Sequence, residues 1–274
     1  MKHHVASAIA RLRIEPGQDA KLAKRKTDDT AFFKDKASGE ASLADDARAI
    51  DALQDRLYAE GKRALLVVLQ GMDTSGKDGT IRAVFRETSP IGVAAAAFKA
   101  PTAEELAHDF LWRIHQVCPE RGTIRIFNRS HYEDVLAVRV EKLAPPEVVE
   151  QRFGMINDFE SMLAGNGTTI VKFMLHISKD EQKKRLQARL DDPEKHWKFN
   201  PNDLAARKLW EPFQAAYEVA LTRCSTAHAP WYVIPSDHKW VRNALVARIV
   251  RTTLEAMDPR PADPGWKKGE FTIR

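Results

Sequence analysis

The chain has 274 residues, enough for one large α/β core or for one core with a small appendage. Its 43 basic and 38 acidic residues leave a net charge of only +5, which is too small to predict nucleic-acid binding, although clustered basic side chains would suit an anionic substrate. Two widely separated cysteines, Cys118 and Cys224, indicate neither a disulfide framework nor a zinc site and fit a reduced cytoplasmic setting, and no segment is typical of a membrane span or of a signal peptide.

The amino-terminal part of the chain is polar and irregular. We interpret residues 1–43 as an arm that wraps the body of the protein or is partly disordered. From Leu43 to Glu60 the apolar residues recur at helical spacing, which predicts an amphipathic helix covering the first strand.

A buried strand followed by a glycine-rich loop is the strongest signal in the chain. The run ALLVVLQ from Ala64 to Gln70 is typical of a strand inside a parallel sheet. After it, Gly71-x-x-x-x-Gly76-Lys77 has the spacing of a phosphate-binding loop, in which backbone N–H groups and the next helix attract an anion and Lys77 reaches the outer phosphates. We therefore predict phosphate binding here, with an ordinary strand-to-helix turn as the alternative. The predicted binding residues are Gly71, Thr74, Ser75, Gly76, Asp78, Gly79 and Thr80.

Two details of this loop depart from the usual pattern. Asp78 occupies the position where Ser or Thr normally meets magnesium, and Thr80 is out of phase as a substitute. Asp73 puts a carboxylate beside the phosphates, which is costly unless a metal ion lies between them or the carboxyl takes up a proton. We predict that Asp73 is a magnesium ligand or a base; the alternative is a residue that caps the loop.

The next elements bring polar residues to the same edge of the sheet. Residues 92–98 predict a weak strand, and Thr102 with Glu105 predicts the capped start of a long helix. Residues 122–127 predict another strand, which is followed by the polar run from Asn128 to Asp134, where a helix is expected to begin. Ligands of parallel sheets bind at the carboxyl ends of the strands, so this run is a candidate site.

The second half of the chain continues the alternation of helices and strands. We predict a helix from Pro146 to about Leu163, a strand over 168–177 and a helix capped by Ser178 and Glu181. Further on we predict a helix over 202–224, a strand over 231–234 and a last helix ending near Ala256. Together these elements predict a three-layer α/β/α sandwich with a mostly parallel sheet, as in P-loop kinase-like phosphoryl transferases.

The most charged stretch runs from the helix capped by Ser178 into the predicted helix over 202–224. Residues 183–208 carry eight basic and four acidic side chains and contain two prolines. A solvated helix end with a loop is one interpretation. The other is a mobile lid that closes over bound phosphates with Arg185, Arg189, Lys195 and Lys198. We divide the chain into an arm (1–43), a kinase-like domain (44–256, lid about 183–208) and a loop-like tail (257–274).

Five motifs in order, GMDTSGKDGT, FKAPT, IFNRSHYEDV, DPEKHWKFNPND and PSDHKWVRN, make the chain resemble the second family of polyphosphate kinases. The likeness runs from about residue 30 to about residue 255. It implies a magnesium-dependent P-loop enzyme that moves a phosphoryl group between inorganic polyphosphate and a nucleotide, and that assembles as a homodimer or homotetramer.

The resemblance also implies roles for individual residues. Asp73 and Lys77 match the residues that handle metal and phosphate, Arg129 matches a phosphate contact, and Lys198 lies in the lid with Arg189 nearby. Asn128 stands where members that use diphosphates have Asp, and the FNRSHYED form resembles a subgroup that accepts monophosphates as well as diphosphates. AMP is thus the expected first acceptor and ADP the second, with guanine nucleotides left open. The tasks of the missing carboxylate would fall on Asp73, helped by Glu133.

Other residues and other functions stay open. Lys99, Lys239 and Arg242 would line a polyphosphate channel or are surface charges near helix ends. His131 is a structural residue rather than a phosphohistidine, since most lone histidines are structural. The alternative functions are an ATP-dependent kinase of nucleoside monophosphates or other small molecules, and a P-loop module that binds nucleotide without turnover.

Overall fold

The structure, a computed structural model, describes residues 9–267 and 269–273. The sheet is arranged around a central strand, β2, whose seven residues are all buried. The order of the six strands is β1-β6-β5-β2-β4-β3, and all neighbours are parallel except β1 and β6. The strands are β1 (Arg13–Ile14), β2 (Ala64–Gln70), β3 (Val93–Ala97), β4 (Ile124–Asn128), β5 (Thr168–His176) and β6 (Trp231–Pro235).

Helices cover both faces of the sheet. They are α1 (Lys36–Glu60), α2 (Lys77–Val84), α3 (Ala103–Leu106), α4 (Trp112–His115), α5 (Ala137–Val140), α6 (Pro146–Gly165), α7 (Lys179–Asp191), α8 (Asn202–Lys208), α9 (Trp210–Arg223) and α10 (Lys239–Met257). Alternate residues of β2 face opposite layers: Leu65 and Val67 pack with α1, α2 and α10, whereas Leu66 and Val68 pack with α6 and α9. The predicted three-layer sandwich is confirmed.

The first long helix begins earlier than the sequence predicted. It starts at Lys36 rather than near Leu43, because Asp35 and Ser38 form a capping box at its amino end. The added turns lack large apolar residues, which is why periodicity missed them. Gly39 lets Trp240 approach, since a Cβ at this glycine would lie 2.4 Å from the Trp240 ring.

The predicted long helix after Thr102 is wrong. The capping box of Thr102 and Glu105 forms, but the chain makes two short helices, α3 and α4. Leu106 is 69% exposed while Ile114 is fully buried, so the apolar residues do not share one face. The predicted helix over 202–224 is likewise interrupted at Leu209, between α8 and α9.

The described part of the arm is fixed to the body. The carboxylate of Glu218 accepts hydrogen bonds from the backbone N–H groups of Lys21 and Leu22 at 2.7 and 2.6 Å. Thr27 and Asp237 exchange two hydrogen bonds, at 2.8 and 3.0 Å. Residues 1–8 of the predicted arm lie outside the described residues. Among the helices of the described residues, none is long and apolar enough to span a membrane.

Replacing Leu57 with Ala should lower the free energy of unfolding by about 2–5 kcal/mol, because a fully buried side chain would leave a cavity between α1 and the sheet. The adjacent Tyr58 is 52% exposed and provides a matched control, for which Ala should change the free energy of unfolding by less than about 0.5 kcal/mol. Urea unfolding measures both values. Equal losses in the two variants would contradict the assignment of this helix face to the core.

Candidate active site

Two loops meet at the carboxyl end of the sheet. The phosphate loop (Gly71–Lys77) follows β2, and a turn that we call the 128–134 turn follows β4. Leu69 lies opposite Asn128 in the parallel register, so the two loops leave the sheet side by side. The predicted gathering of polar residues at this edge is therefore present.

The backbone of the phosphate loop has the curvature that an anion requires. Gly71, Thr74 and Gly76 have φ values of 155°, 64° and 106°, in the left-handed region that favours glycine. The hydroxyl oxygens of Thr74 and Ser75 are buried and have no hydrogen-bond partner in the described residues. Because an unpaired buried hydroxyl costs free energy, these groups indicate a cradle for an oxygen-rich anion.

Two arginines hold the carbonyl side of this loop. Arg185 donates to the carbonyl oxygens of Thr74 and Ser75 at 3.0 and 3.2 Å, and Arg242 donates to that of Ser75 at 2.9 Å. Arg185 also donates to the carbonyls of Ser236 and Asp237. The structure thus places Arg185 behind the loop, with its donors engaged, and not in a lid above it. A Cβ at Gly76 would lie 1.9 Å from Arg242 Nη1, so this position needs glycine.

Lys77 is half-buried beneath the loop. Its ammonium donates to the carbonyl oxygen of Gly71 at 2.8 Å. Burial, reinforced by the positive charge of Arg129, lowers the pKa of Lys77 to about 8. A phosphate bound here would favour the protonated ammonium and raise this pKa.

Asp73, Arg129 and Glu133 form a charged bridge between the two loops. Arg129 Nη2 lies 2.8 Å from Asp73 Oδ1, and Nη1 lies 3.9 Å from Glu133 Oε2. Burial alone would lower the pKa of Arg129, but the carboxylates of Glu133 and Asp73 outweigh it, so this pKa is raised. With its amide oxygen turned toward Ser130, Gln70 also places its nitrogen 3.1 Å from Glu133 Oε1.

The remaining predicted loop residues divide into two groups. Asn128 donates its side-chain amide to Asp78, so both face the space between the loops. Thr80 is buried and its hydroxyl lies 3.3 Å from Asn243 Oδ1 on α10, which points it away from the phosphate loop. Gly79 lies close to Arg242, where a Cβ would be 3.5 Å from the guanidinium.

The lid residues are only partly brought to the site. Arg189 pairs with Asp203 at 3.2 Å and donates to the carbonyl of Lys198. The ammonium of Lys198 lies over the exposed Trp197 ring, 4.8 Å from its centre. Lys99 and Lys239 are exposed. In the described residues, none of these lysines forms a hydrogen bond or an ion pair with the phosphate loop.

Three residues that the sequence analysis did not select also reach the site. Burial and the charge of Asp73 raise the pKa of Asp203. Burial and the charge of Glu133 raise the pKa of Tyr217, and Gln182 donates to the carbonyl of Asp73 at 3.1 Å. Asp203 ends the DPEKHWKFNPND motif, a signal that could have identified it; Tyr217 and Gln182 lie in ordinary helical patterns.

The carboxylate of Asp73 would suit a divalent cation that is held mainly by a substrate. Among the described residues no group of three or more His, Cys, Asp or Glu side chains surrounds a metal position, which fits an ion bound by one or two carboxylates together with substrate phosphates. Asp73 is itself half-buried, so a cation would also relieve the cost of holding it beside phosphate.

Binding of tripolyphosphate should take up a proton at about pH 9, because Lys77 is mostly neutral in the free protein and charged in the complex. Isothermal titration calorimetry in buffers of different ionisation enthalpy measures the uptake. Lys77→Arg provides the control, since arginine stays charged and should take up fewer protons. Equal uptake by the two proteins would contradict the lowered pKa of Lys77.

Comparisons with known proteins identify the family of the chain. Residues 33–262 match the model of the family described as "Polyphosphate kinase 2 (PPK2)". The chain is 52% identical to the AMP/ADP-polyphosphate phosphotransferase of Meiothermus ruber, over 97% of this chain and 100% of the relative. It is 40% identical to the ADP-polyphosphate phosphotransferase of Rhodopseudomonas palustris, over 89% of each chain.

A solved structure gives the same answer for the fold. The crystal structure of polyphosphate kinase 2 from Arthrobacter aurescens TC1 superposes with a TM-score of 0.90 at 45% identity, covering 94% of this chain and 92% of that one. Since the family match spans most of the sequence, and relatives match over nearly their whole length, the chain belongs to the polyphosphate kinase 2 family.

Proposed function

We propose that the chain transfers a phosphoryl group from inorganic polyphosphate to AMP and to ADP, giving ADP and ATP. The observation that carries this proposal is the facing arrangement of Lys77 and Arg129 across the carboxylates of Asp73 and Glu133, at the edge where β2 and β4 end. The full-length likeness to a relative named for both AMP and ADP supports the choice of acceptors.

The site offers places for two phosphate groups. The buried hydroxyls and amides of the phosphate loop, with Lys77, would hold one of them. Arg129 faces the loop from the neighbouring turn and would contact the other. Phosphoryl transfer passes through a loose transition state, so holding two phosphates in line and neutralising their charge supplies most of the catalysis. The proposed step is a direct in-line attack by the terminal phosphate of the nucleotide.

The attacking group needs little help from a base. A phosphate monoester loses its second proton with a pKa of about 6, so the AMP phosphate is already ionised near neutral pH. Asn128 can therefore stand where related enzymes have a carboxylate. Its contact with Asp78 gives it a positioning task instead.

We propose that Asp73 holds the magnesium ion. The bound ion would neutralise charge on the phosphoryl oxygens during transfer. Glu133 and Asp203 would complete the negative surroundings that attract the cation. Arg129, which bonds Asp73 in the structure, would hold this carboxylate in place.

The lid and the assembly are further parts of the proposal. Arg189 is tied to Asp203 and would move with it as the lid closes over the phosphates. Lys198, Lys99 and Lys239 are exposed cations that would meet the polymer further out. A homodimer or homotetramer, a cytoplasmic location and the use of guanine nucleotides stay predictions from the sequence.

Assays with polyphosphate or with ATP as the phosphoryl donor separate the proposed function from its alternatives. With magnesium and either AMP or ADP, the protein should form ATP when polyphosphate is the donor. Chromatography of the nucleotides measures the products, and a reaction without polyphosphate is the control. Transfer from ATP alone would indicate an ATP-dependent kinase, and binding without transfer would indicate a regulatory P-loop module; either result would contradict the proposal.

Replacing Arg129 with Ala should lower kcat by about 10³-fold or more, because an arginine at the transferring phosphoryl group has an effect of that size. Circular dichroism should show an unchanged fold. Arg139→Ala is the matched control: Arg139 is an exposed arginine just beyond the 128–134 turn, and its ion pair with Glu150 contributes little. Near-normal turnover by the Arg129 variant would remove this residue from the site.

A further inference from the structure

Four polar side chains lie completely buried behind the 128–134 turn. They are His131, Tyr132, Glu160 and Lys172, each 0% exposed, and we call them the buried network. His131 and Tyr132 belong to the turn itself, Glu160 to α6 and Lys172 to β5. The network therefore connects three separate elements behind the proposed active site.

The members of the network are closely bonded to one another. Lys172 Nζ donates to Glu160 Oε2 at 2.5 Å, to Tyr132 Oη at 2.7 Å and to the carbonyl of Cys224 at 2.7 Å, which uses all three of its protons. Glu160 Oε1 accepts from Tyr132 Oη at 3.0 Å and lies 3.2 Å from His131 Nε2. The turn is thus attached to a buried ion pair through two consecutive side chains.

Stability alone does not explain such a pair. Removing two charges from water costs several kcal/mol per ion, and apolar residues of similar volume often give equal or greater stability. Most side chains around the network belong to an apolar core, in which Leu, Met or Phe would fit the chemistry of the surroundings. An ion pair differs from such residues in fixing direction, because its hydrogen bonds tolerate little rotation.

The backbone of the 128–134 turn has to be held in one conformation. Arg129 has a φ of 63°, a left-handed conformation that is unfavourable for a residue other than glycine and persists where the surroundings impose it. His131 and Tyr132 point into the network, whereas Arg129 pairs with Asp73 of the phosphate loop and Glu133 lies 3.9 Å from Arg129. Holding His131 and Tyr132 in place therefore also sets the positions of Arg129 and Glu133.

We propose that Glu160 and Lys172 are positioning residues for phosphoryl transfer: through Tyr132 and His131 they hold Arg129 and Glu133 in register with the phosphate loop. This inference rests on the proposed function of Arg129. They touch no substrate, and their effect on the reaction passes through the backbone of the turn. Misplacement of a reacting group by about 1 Å can cost about 10²-fold in rate, so a remote device of this kind has a measurable effect.

The test is a double variant, Glu160→Gln with Lys172→Met. It removes both charges while keeping side-chain length, and so avoids the unpaired buried charge that either single change would leave. The carbonyl of Cys224 loses its donor in this variant, so the unfolding temperature should fall by several degrees while the protein stays folded. We expect kcat to be lowered about 10- to 100-fold. The KM values for AMP and polyphosphate should change less than about threefold, since the phosphate loop is intact.

The control uses another set of ion pairs, formed around a buried carboxylate. Asp46 is fully buried and bonds Arg248 at 2.8 Å and Arg251 at 3.1 Å between α1 and α10, on the opposite face of the sheet. Asp46→Asn with Arg248→Met removes one charge of each sign away from the 128–134 turn and leaves Arg251 paired with Glu255, and kcat should stay at the wild-type value. A wild-type kcat in a folded Glu160/Lys172 double variant would overturn the proposal, and so would equal losses in the two double variants.

A second variant and a second readout cover the other outcomes. Should the double variant not fold, Tyr132→Phe removes both hydrogen bonds between the Tyr132 hydroxyl and the ion pair and leaves the contact of His131. A kcat lowered at least about threefold supports the proposal, and an unchanged kcat overturns it. Crystal structures of the wild type and of the folded variant read the position of Arg129 without any assay. An Arg129–Asp73 distance still near 2.8 Å in the variant overturns the positioning role. An inactive wild type would instead contradict the proposed function. The crystal structures would still test the positioning role in that case, because they do not depend on activity.

Discussion

The site depends on which way the peptide groups of the phosphate loop point. Backbone N–H groups can converge on a phosphate only if the carbonyl oxygens turn outward, and those carbonyls then need donors of their own. Arg185 and Arg242 provide them. Burial and the nearby Arg185 lower the pKa of Arg242 to about 9, which leaves it charged at neutral pH. The two arginines therefore fix the loop and add positive potential behind it.

The second condition is a balance of charge between the two loops. Two polyanions must meet end to end, and their repulsion has to be offset without drawing them so tightly that they cannot leave. Asp73 and Glu133 hold Arg129 in place; in the proposed reaction Lys77 and Arg129 would provide the positive charge, and Asp73 would offer oxygen ligands to a cation. An asparagine at position 128 fits this arrangement, because a phosphate nucleophile needs alignment more than it needs a base.

Local patterns made much of this molecule predictable. The buried strand β2 and the spacing of Gly71, Gly76 and Lys77 identified the phosphate loop, because these signals lie within a few residues. The role of Arg185 was not predictable, because a basic side chain in a charged run looks the same whether it faces solvent or the carbonyls of a loop more than a hundred residues away. The role of Lys172, which lies in an apolar strand, was not predictable for the same reason. Its partners come from distant parts of the chain, and only the fold brings them together.

A crystal structure with magnesium, AMP and a non-hydrolysable polyphosphate analogue would test the central claim most directly. That claim is that outward-facing carbonyls, held by buried arginines, leave the amides of the phosphate loop free to bind the reacting phosphates. The account predicts phosphate oxygens on the loop amides and on the hydroxyls of Thr74 and Ser75, within reach of Lys77, with Arg129 on the adjoining phosphate. Analogue and nucleotide bound elsewhere, with the loop amides facing only water, would contradict it.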